Sequence, residues 1–121
     1  MLIDILMGLI DMPTIKGNLI LEKDTTYNES LIVEGSIIGK DGVRYNLTVR
    51  GDINCWNIVC GNIVCGNINC LDINCGNINC WDIEAYFVLC ETMKQKEGSM
   101  LKVKNIIESR NSYKQREIKR D

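Results

Sequence analysis

A five-residue period runs through the middle of the chain and limits its fold more than any other feature. From Gly51 to Cys90 the sequence divides into eight consecutive units: GDINC, WNIVC, GNIVC, GNINC, LDINC, GNINC, WDIEA and YFVLC. Position two is Asp or Asn and position three is Ile in the first seven units, and position five is Cys in all units except the one ending at Ala85. This repetition predicts a solenoid, in which similar units stack to build one continuous core.

The spacing inside each unit predicts a short strand followed by a corner. Ile and Cys lie two residues apart, so in an extended segment both face one side and the residue between them faces the other. Between each Cys and the next Ile stands Gly, Trp or Leu followed by Asp or Asn, which are residues suited to turning the chain. The predicted inward-facing ladder consists of Ile53, Ile58, Ile63, Ile68, Ile73, Ile78 and Ile83.

Other regular structures do not fit this period. In a helix of 3.6 residues per turn, a five-residue period would spread Ile around the whole cylinder. Three-residue strands with two-residue corners are also too short to pair usefully as antiparallel hairpins. Coiling in one direction remains, and we expect four units to form one square coil of about twenty residues, stacked on the next at about 4.8 Å.

The repeat resembles that of the pentapeptide-repeat proteins, whose five-residue units form a four-sided right-handed parallel β-helix. The resemblance covers about a third of the chain, and Asn54, Asn69, Asn74 and Asn79 take the outward place between the two inward positions. The chain departs from the common pattern by placing the large residue, Ile, first and the small one, Cys, second. A weaker resemblance is to bactofilin-type β-helices, which have comparable Val/Ile-and-Gly segments. The fold class is therefore predicted to be mainly β, a right-handed parallel β-helix.

The whole chain, 1–121, is predicted to be a single domain, in which other segments precede and follow the repeat. Residues 1–14 are predicted to be an apolar N-terminal cap, and 15–50 to be irregular coils because LILEK, SLIVEG, SIIGKDG and YNLTVRG are short β-rich pieces. Residues 51–90 are the regular repeats. Residues 91–121 are predicted to be a second cap, built around LKVKNIIE with its helix or strand character left open, and a charged tail.

The two parts of the chain differ in charge, and the cysteines and the N-terminus favour a cytoplasmic location. Residues 1–90 carry a net charge of −6 and residues 91–121 a net charge of +4. Six of the seven Cys lie at strict five-residue spacing, which is typical of packing rather than of a disulfide framework. The apolar N-terminus has no basic region, contains Asp4 and Asp11, and is too short to span a bilayer. We expect a soluble protein without membrane contact.

The cysteines are candidate ligands for a soft metal ion. On a twenty-residue coil, Cys55 would stack on Cys75, Cys60 on Cys80, and Cys70 on Cys90, which suggests a zinc site as one interpretation. Packing is the preferred interpretation, because free Cys is commonly buried and fills small spaces well. No cofactor is therefore expected, with zinc as the alternative.

Exposed side chains on the repeat are candidate binding residues. Trp56 and Trp81 occupy corner positions, where we expect partial exposure, and exposed Trp is favoured as a binding anchor. Stacking on a neighbouring corner is the structural alternative. Asp52, Asp72 and Asp82 occupy turn positions, where each carboxylate can accept hydrogen bonds from nearby backbone N–H groups. Their functional interpretation, which the pentapeptide-repeat resemblance implies, is imitation of nucleic-acid phosphates.

The sequence does not favour catalysis or direct nucleic-acid binding. It has no His and no phosphate-loop, dinucleotide or nucleophile-elbow motif, and Cys without His lacks its usual base. The basic C-terminal residues are interspersed with five acids, which is typical of a solvated segment. These basic residues are Lys94, Lys96, Lys102, Lys104, Arg110, Lys114, Arg116, Lys119 and Arg120.

We therefore predict a non-enzymatic protein-binding scaffold. The resemblance, small size and acidity suggest a phage or bacterial inhibitor of a nucleic-acid-processing enzyme, of the topoisomerase-protection or anti-CRISPR type. One alternative is a self-assembling structural β-helix, and a second is a thiol metal-binding protein. A homodimer is compatible with both the scaffold and the self-assembling protein.

Overall fold

Short parallel strands make up most of the protein in a computed structural model that describes residues 14–108. The strands are β1 (Thr14–Lys16), β2 (Leu19–Leu21), β3 (Thr25–Tyr27), β4 (Leu31–Glu34), β5 (Ser36–Gly39), β6 (Leu47–Val49), β7 (Ile53–Asn54), β8 (Asn57–Val59), β9 (Ile63–Val64), β10 (Ile68–Asn69), β11 (Asp72–Asn74), β12 (Asn77–Cys80), β13 (Ile83–Cys90), β14 (Thr92–Gln95) and β15 (Leu101–Glu108). One 3-10 turn covers Lys40–Gly42. The predicted parallel β-helix is confirmed, as a solenoid of about 5 turns.

The solenoid has three walls, and the predicted four-sided coil is wrong. Within the regular repeats Ile68 pairs with Ile53 and with Ile83, and Ile78 pairs with Ile63. Three five-residue units therefore complete one 15-residue turn, the same separation that joins Asp52 to Asn67. A three-residue strand followed by a two-residue corner is compatible with three walls or with four. The number of walls depends on which units pair between turns, and those units are distant in sequence.

Each wall is a stack of parallel strands. The first wall contains β1, β4, β7, β10 and the first halves of β13 and β15, and the second contains β2, β5, β8, β11 and the second halves of β13 and β15. The third wall contains β3, β6, β9, β12 and β14. The long strands β13 and β15 therefore continue around the edge between the first and second walls.

The turns outside the regular repeat are longer. Leu31 pairs with Ile53, an interval longer than three repeat units, because residues 40–46 extend the connection between the second and third walls. Asp41 and Gly42 have φ values of 56° and 77° in this connection, and Gly adopts the left-handed region at little cost. The segment LKVKNIIE, whose character the sequence left open, is strand β15 and adds part of a sixth turn.

The core lies along the axis of the solenoid. All seven Ile of the predicted ladder are at most 2% exposed, which confirms that they face inward. Leu31 and Leu47 continue the Ile columns into the irregular turns, and Val33 continues the column of Cys55. Parallel stacking puts each apolar side chain on a similar one in the next turn, so dense packing follows from the repeat itself.

Between turns of the regular repeats, side-chain amides and carboxylates form hydrogen bonds at two of the three edges. The Asn46 Oδ1 accepts a hydrogen bond from the Asn62 N–H, and the Asn62 Oδ1 accepts one from the Asn77 N–H, each at 2.9 Å. These bonds satisfy backbone N–H groups that the short strands leave unpaired at the corners. They also explain glycine there, since a Cβ on Gly76 would lie 2.7 Å from the Asn62 Oδ1.

Part of the predicted domain organisation falls outside the described residues. The N-terminal cap, apart from Thr14, and the tail beyond Glu108 lie there. Within the part of the chain that the structure describes, no helix has the length and apolarity needed to cross a bilayer.

Candidate protein-binding surface

Both Trp side chains predicted to be exposed corner residues are found on edges of the solenoid. Trp56 is 58% exposed and Trp81 is 50% exposed, which confirms the predicted exposure. They lie on different edges: Trp56 follows the first wall, whereas Trp81 follows the third. The structure does not bring them together into one site.

Trp56 belongs to a column of large side chains on the edge between the first and second walls, which we call the bulky edge. The Leu71 N–H donates to the Trp56 carbonyl at 2.7 Å, and the Tyr86 N–H donates to the Leu71 carbonyl at 2.9 Å. All three side chains are exposed. The Lys104 Nζ lies 5.4 Å from the centroid of the Tyr86 ring, within range of a cation–π interaction.

The second wall presents an apolar column to solvent beside the bulky edge. Its outward positions, from the first turn to the last, are Ile20, Ile38, Val59, Asn74, Leu89 and Ile107. Ile20 and Ile107 are exposed, and the other four are half-buried because stacked neighbours cover each other. Five of these six positions are apolar, which is unusual for the solvent side of a wall.

The outward columns of the other two walls are mostly polar. The first wall presents Thr14, Ile32, Asn54, Asn69, Glu84 and Lys102. The third wall presents Thr26, Thr48, Val64, Asn79 and Lys94. Each of these columns has one apolar residue, so the second wall stands out. We call its apolar column together with Trp56, Leu71 and Tyr86 the apolar surface.

Arg44 places a cation at the border of the apolar surface. It projects from the connection 40–46, and its Nη1 donates to the Asn74 Oδ1 at 3.2 Å and to the Cys60 carbonyl at 3.3 Å. The side chain therefore runs along the edge between the second and third walls, where Gly61 and Gly76 carry no side chain. We call this the glycine edge.

Trp81 forms a separate feature on the edge between the third and first walls. The Lys96 Nζ lies 4.2 Å from the centroid of its ring. A shallow groove of about 490 Å³ runs beside it, lined by Arg50, Gly66 and Val64 among others. The groove lies outside the apolar surface, so Trp81 is a useful comparison for Trp56.

The carboxylates of Asp52 and Asp82 form hydrogen bonds that hold successive turns of the solenoid together. The Asp52 Oδ1 accepts a hydrogen bond from the Asn67 N–H at 2.9 Å, and the Asp82 Oδ1 accepts one from the Met100 N–H at 2.8 Å. The acceptor role was predicted, but the N–H groups belong to the next turn rather than to the same corner. Asp72 lies on the bulky edge, where it is exposed at the start of β11. The three acids therefore do not form one row along one face.

The cysteines stack in other pairs than those predicted. On a 15-residue turn Cys55 stacks on Cys70, not Cys75, and Cys60 stacks on Cys75, not Cys80. Cys70 is followed in its column by Ala85 rather than by Cys90, because Ile68 pairs with Ile83. The predicted twenty-residue columns are wrong because the coil has three walls.

The described cysteines are buried and act as fillers of the corners. None of the seven forms a disulfide bond, and six of their thiols contact a carbonyl oxygen one or two residues later, for example Cys65 Sγ to the Gly66 oxygen at 3.5 Å. Among residues 14–108, no cluster of three or more potential ligands has the geometry to hold a metal ion. A zinc site on these thiols stays a prediction.

Four of the thiols have a pKa above that of an ordinary cysteine. Burial raises the pKa of Cys60 to about 12, and the nearby Arg44 guanidinium offsets only part of that rise. Burial also raises the pKa of Cys65 and of Cys75, while a hydrogen bond with Cys55, followed by burial, raises the pKa of Cys70. These thiols are protonated near neutral pH, a state that disfavours both nucleophilic attack and metal ligation.

Sequence reasoning missed most of the apolar surface, although one signal was available. The first position of the repeat is Gly in four of the eight units, and a large residue recurs every third unit at Trp56, Leu71 and Tyr86. That spacing is compatible with a turn of three units and one edge with large side chains, although Trp81 is a fourth large residue at this position and lies outside the series. No sequence pattern predicted the role of Arg44, because its contact with Asn74 depends on the path of the connection 40–46.

Searches against protein-family models, curated proteins and solved structures found no match to this chain.

Proposed function

We propose that this protein is a non-enzymatic scaffold that binds another protein through the apolar surface. The observation that supports this is the contrast between walls: five of six outward positions on the second wall are apolar, against one on each of the others. A contiguous apolar patch on a soluble fold marks an interaction site, whereas isolated apolar residues do not.

The composition of the surface is suited to protein recognition. Trp and Tyr are enriched among residues that dominate binding energy, and Trp56 and Tyr86 lie at the border of an aliphatic column. The stacked strands hold these side chains at fixed spacing, so little conformational entropy is lost when a partner binds. Arg44 supplies a polar contact at the opposite border.

A nucleic-acid-processing enzyme is the class of target that we propose. Support for this step comes from the pentapeptide-repeat resemblance and from the acidic character of residues 1–90. The carboxylates of Asp52 and Asp82 accept backbone hydrogen bonds at the corners of the solenoid. This role favours recognition of the target through apolar contacts over imitation of a row of phosphates.

Affinity capture with a matched pair of variants tests the scaffold. Tagged protein is incubated with a nuclease-treated bacterial lysate under reducing conditions, and bound proteins are identified by mass spectrometry. We expect Trp56→Lys to lose a partner that Trp81→Lys retains, because both side chains are exposed but only Trp56 lies on the apolar surface. Loss of one hot-spot Trp reduces affinity by about 2 kcal/mol or more, or about thirtyfold.

The captured partner is then purified and its dissociation constant measured against each variant. Equal weakening by Trp56→Lys and Trp81→Lys would show that the apolar surface is not the binding site. Recovery of an enzyme that acts on DNA or RNA, followed by its inhibition in a purified assay, would support the proposed target class.

Self-assembly through the ends of the solenoid is a second candidate function. Among the described residues, β2 and β3 each pair with a strand on one side only, and their other edges face the N-terminal end of the solenoid. Such edges favour strand addition between copies. Filaments that lengthen with protein concentration and are visible by electron microscopy would favour this function over the scaffold.

A further inference from the structure

We propose that one partner of the apolar surface is a second copy of this chain, packed face to face in a two-fold symmetric dimer. This inference rests on the proposed function, because it names an occupant for the same surface. The two-fold axis lies between the two second walls and runs parallel to the solenoid axis.

This axis brings unlike edges of the two copies together. Rotation about it keeps every turn at its own height and exchanges left and right, so the bulky edge of each copy lies opposite the glycine edge of the other. Trp56 and Leu71 project from the bulky edge, and the glycine edge has Gly61 and Gly76 in the same two turns. Trp56 and Leu71 therefore face the two first positions of the glycine edge that have no side chain, beside Arg44, whereas Tyr45 and Glu91 hold the same position in the turns before and after.

The charges at the two borders are also complementary under this rotation. Asp72 is exposed on the bulky edge at the start of β11, and the Arg44 guanidinium lies over Asn74 at the end of the same strand. All three hydrogen bonds of the guanidinium use Nη1. The dimer therefore brings each Asp72 to the Arg44 of the other copy, and symmetry forms the pair twice.

The size of the wall is sufficient for a specific dimer. Six stacked strands about 4.8 Å apart and five residues of about 3.3 Å each give a wall of roughly 500 Å². Two such walls bury about 1,000 Å², without the additional area from protruding side chains and from the bulky edge. This area reaches the lower bound for specific interfaces. Flat sheets also pack face to face at about 10 Å, as in a β-sandwich.

Measurement of the mass in solution tests the dimer, with full-length protein under reducing conditions. Sedimentation equilibrium of the wild type is expected to give twice 13.7 kDa at micromolar concentration. Val59→Lys is expected to raise the dimer dissociation constant by about 100-fold or more, because it places a lysine from each copy in the centre of the contact. Val64→Lys is the matched control, with the same residue type at the same position of the next unit but on the third wall.

A charge exchange tests the predicted orientation. Asp72→Arg and Arg44→Asp are each expected to weaken the dimer about three- to tenfold, and the double variant is expected to restore it, because each pair is re-formed with reversed charges. A purely structural role of Arg44 would not be rescued by Asp72→Arg. Circular dichroism and melting temperature confirm that each variant is folded.

Three outcomes would overturn the dimer: a wild type that stays monomeric well above micromolar concentration, equal effects of Val59→Lys and Val64→Lys, or no rescue by the double variant. The scaffold proposal fails differently, when Val59→Lys leaves binding of a captured protein unchanged. A monomer whose captured partner is lost in Val59→Lys would therefore reject the dimer and retain the scaffold.

Discussion

At the scale of single residues, the Ile–Cys pair of each unit explains both packing and chemistry. Ile and Cys are both buried in the core, and the smaller Cys directly precedes the corner where two walls meet. Its thiol also makes a weak contact with a corner carbonyl, such as that of Cys80 Sγ with the Trp81 oxygen at 3.6 Å. Cys therefore combines small volume with a weak donor at positions where an aliphatic side chain would supply no donor.

The raised thiol pKa values predict loss of stability at alkaline pH. The pKa of Cys60 is about 12 in the folded protein against 9.0 for the ordinary group, so between these values the unfolded chain loses a proton that the folded one keeps. The stabilisation is complete below about pH 9 and is lost as pH rises toward 12, at about 1.4 kcal/mol per pH unit for each such thiol.

Urea denaturation between pH 8 and pH 10.5 measures this effect. Cys60→Ala is expected to reduce the slope of unfolding free energy against pH by about 1.4 kcal/mol per unit, whereas Asn69→Ala, on the exposed face of β10, leaves it unchanged. All other ionisable groups are common to the two variants and cancel in the comparison. An unchanged slope in Cys60→Ala would show that this thiol titrates normally.

At the scale of elements, the corners hold the solenoid together as much as the strands do. Strands of two to four residues leave many backbone groups at the corners, and the side chains of Asn46, Asn62 and Asn67 pair some of them with the next turn. The bulky edge between the first and second walls is different, because Leu71 and Tyr86 pair there through backbone atoms alone. That difference leaves this edge able to carry large side chains.

Removal of one corner acceptor is expected to weaken the protein measurably. Asn62→Ala leaves the Asn77 N–H without its 2.9 Å acceptor and should lower the unfolding free energy by about 1 kcal/mol. Asn69→Ala is the control, with an expected change within about 0.5 kcal/mol because the side chain faces solvent. Denaturant melts of both variants measure the difference.

Gly76→Ala tests the same corner by adding a side chain next to the Asn62 amide. A Cβ there would lie 2.7 Å from the Asn62 Oδ1, so the single substitution should destabilise the protein. Combined with Asn62→Ala it should cost less than the sum of the two changes, because the clashing atom is gone. Strict additivity would mean that the amide does not determine the need for glycine.

At the scale of the whole molecule, the 15-residue turn predicts which deletions the fold tolerates. Deletion of residues 66–80 removes one complete turn and joins Cys65 to Trp81, which lies on the same edge as Gly66. Every later residue keeps its wall, and the Asp52 carboxylate meets the Asp82 N–H in place of that of Asn67. We expect a folded protein with a lower melting temperature.

Deletion of residues 66–72 is the control. This segment has seven residues, so each later residue shifts by two positions of the five-residue repeat, which puts Asn77 at an inward position and Ile78 at a corner. Circular dichroism and cooperative thermal unfolding distinguish the two chains. A 66–80 deletion that fails to fold, or a 66–72 deletion that melts cooperatively, would contradict the 15-residue turn.

The sequence by itself determined the repeating unit and what faces inward. Ile at position three and Cys at position five alternate with polar residues, and in extended chain this alternation allows only one buried face. The seven-Ile ladder and the outward direction of Asn54, Asn69 and Asn79 therefore followed from local rules. The strand pieces upstream were predictable for the same reason.

Only the tertiary structure decided the number of walls, and with it the candidate site. Three- and four-sided coils satisfy the same five-residue unit, because the choice depends on whether hydrogen bonds join every third or every fourth unit and not on any one unit. The alignment of Trp56 with Leu71, the stacking of Cys60 on Cys75, and the reach of Arg44 to Asn74 all follow from that choice. The apolar surface therefore forms only when the turns stack, and no single repeat contains it.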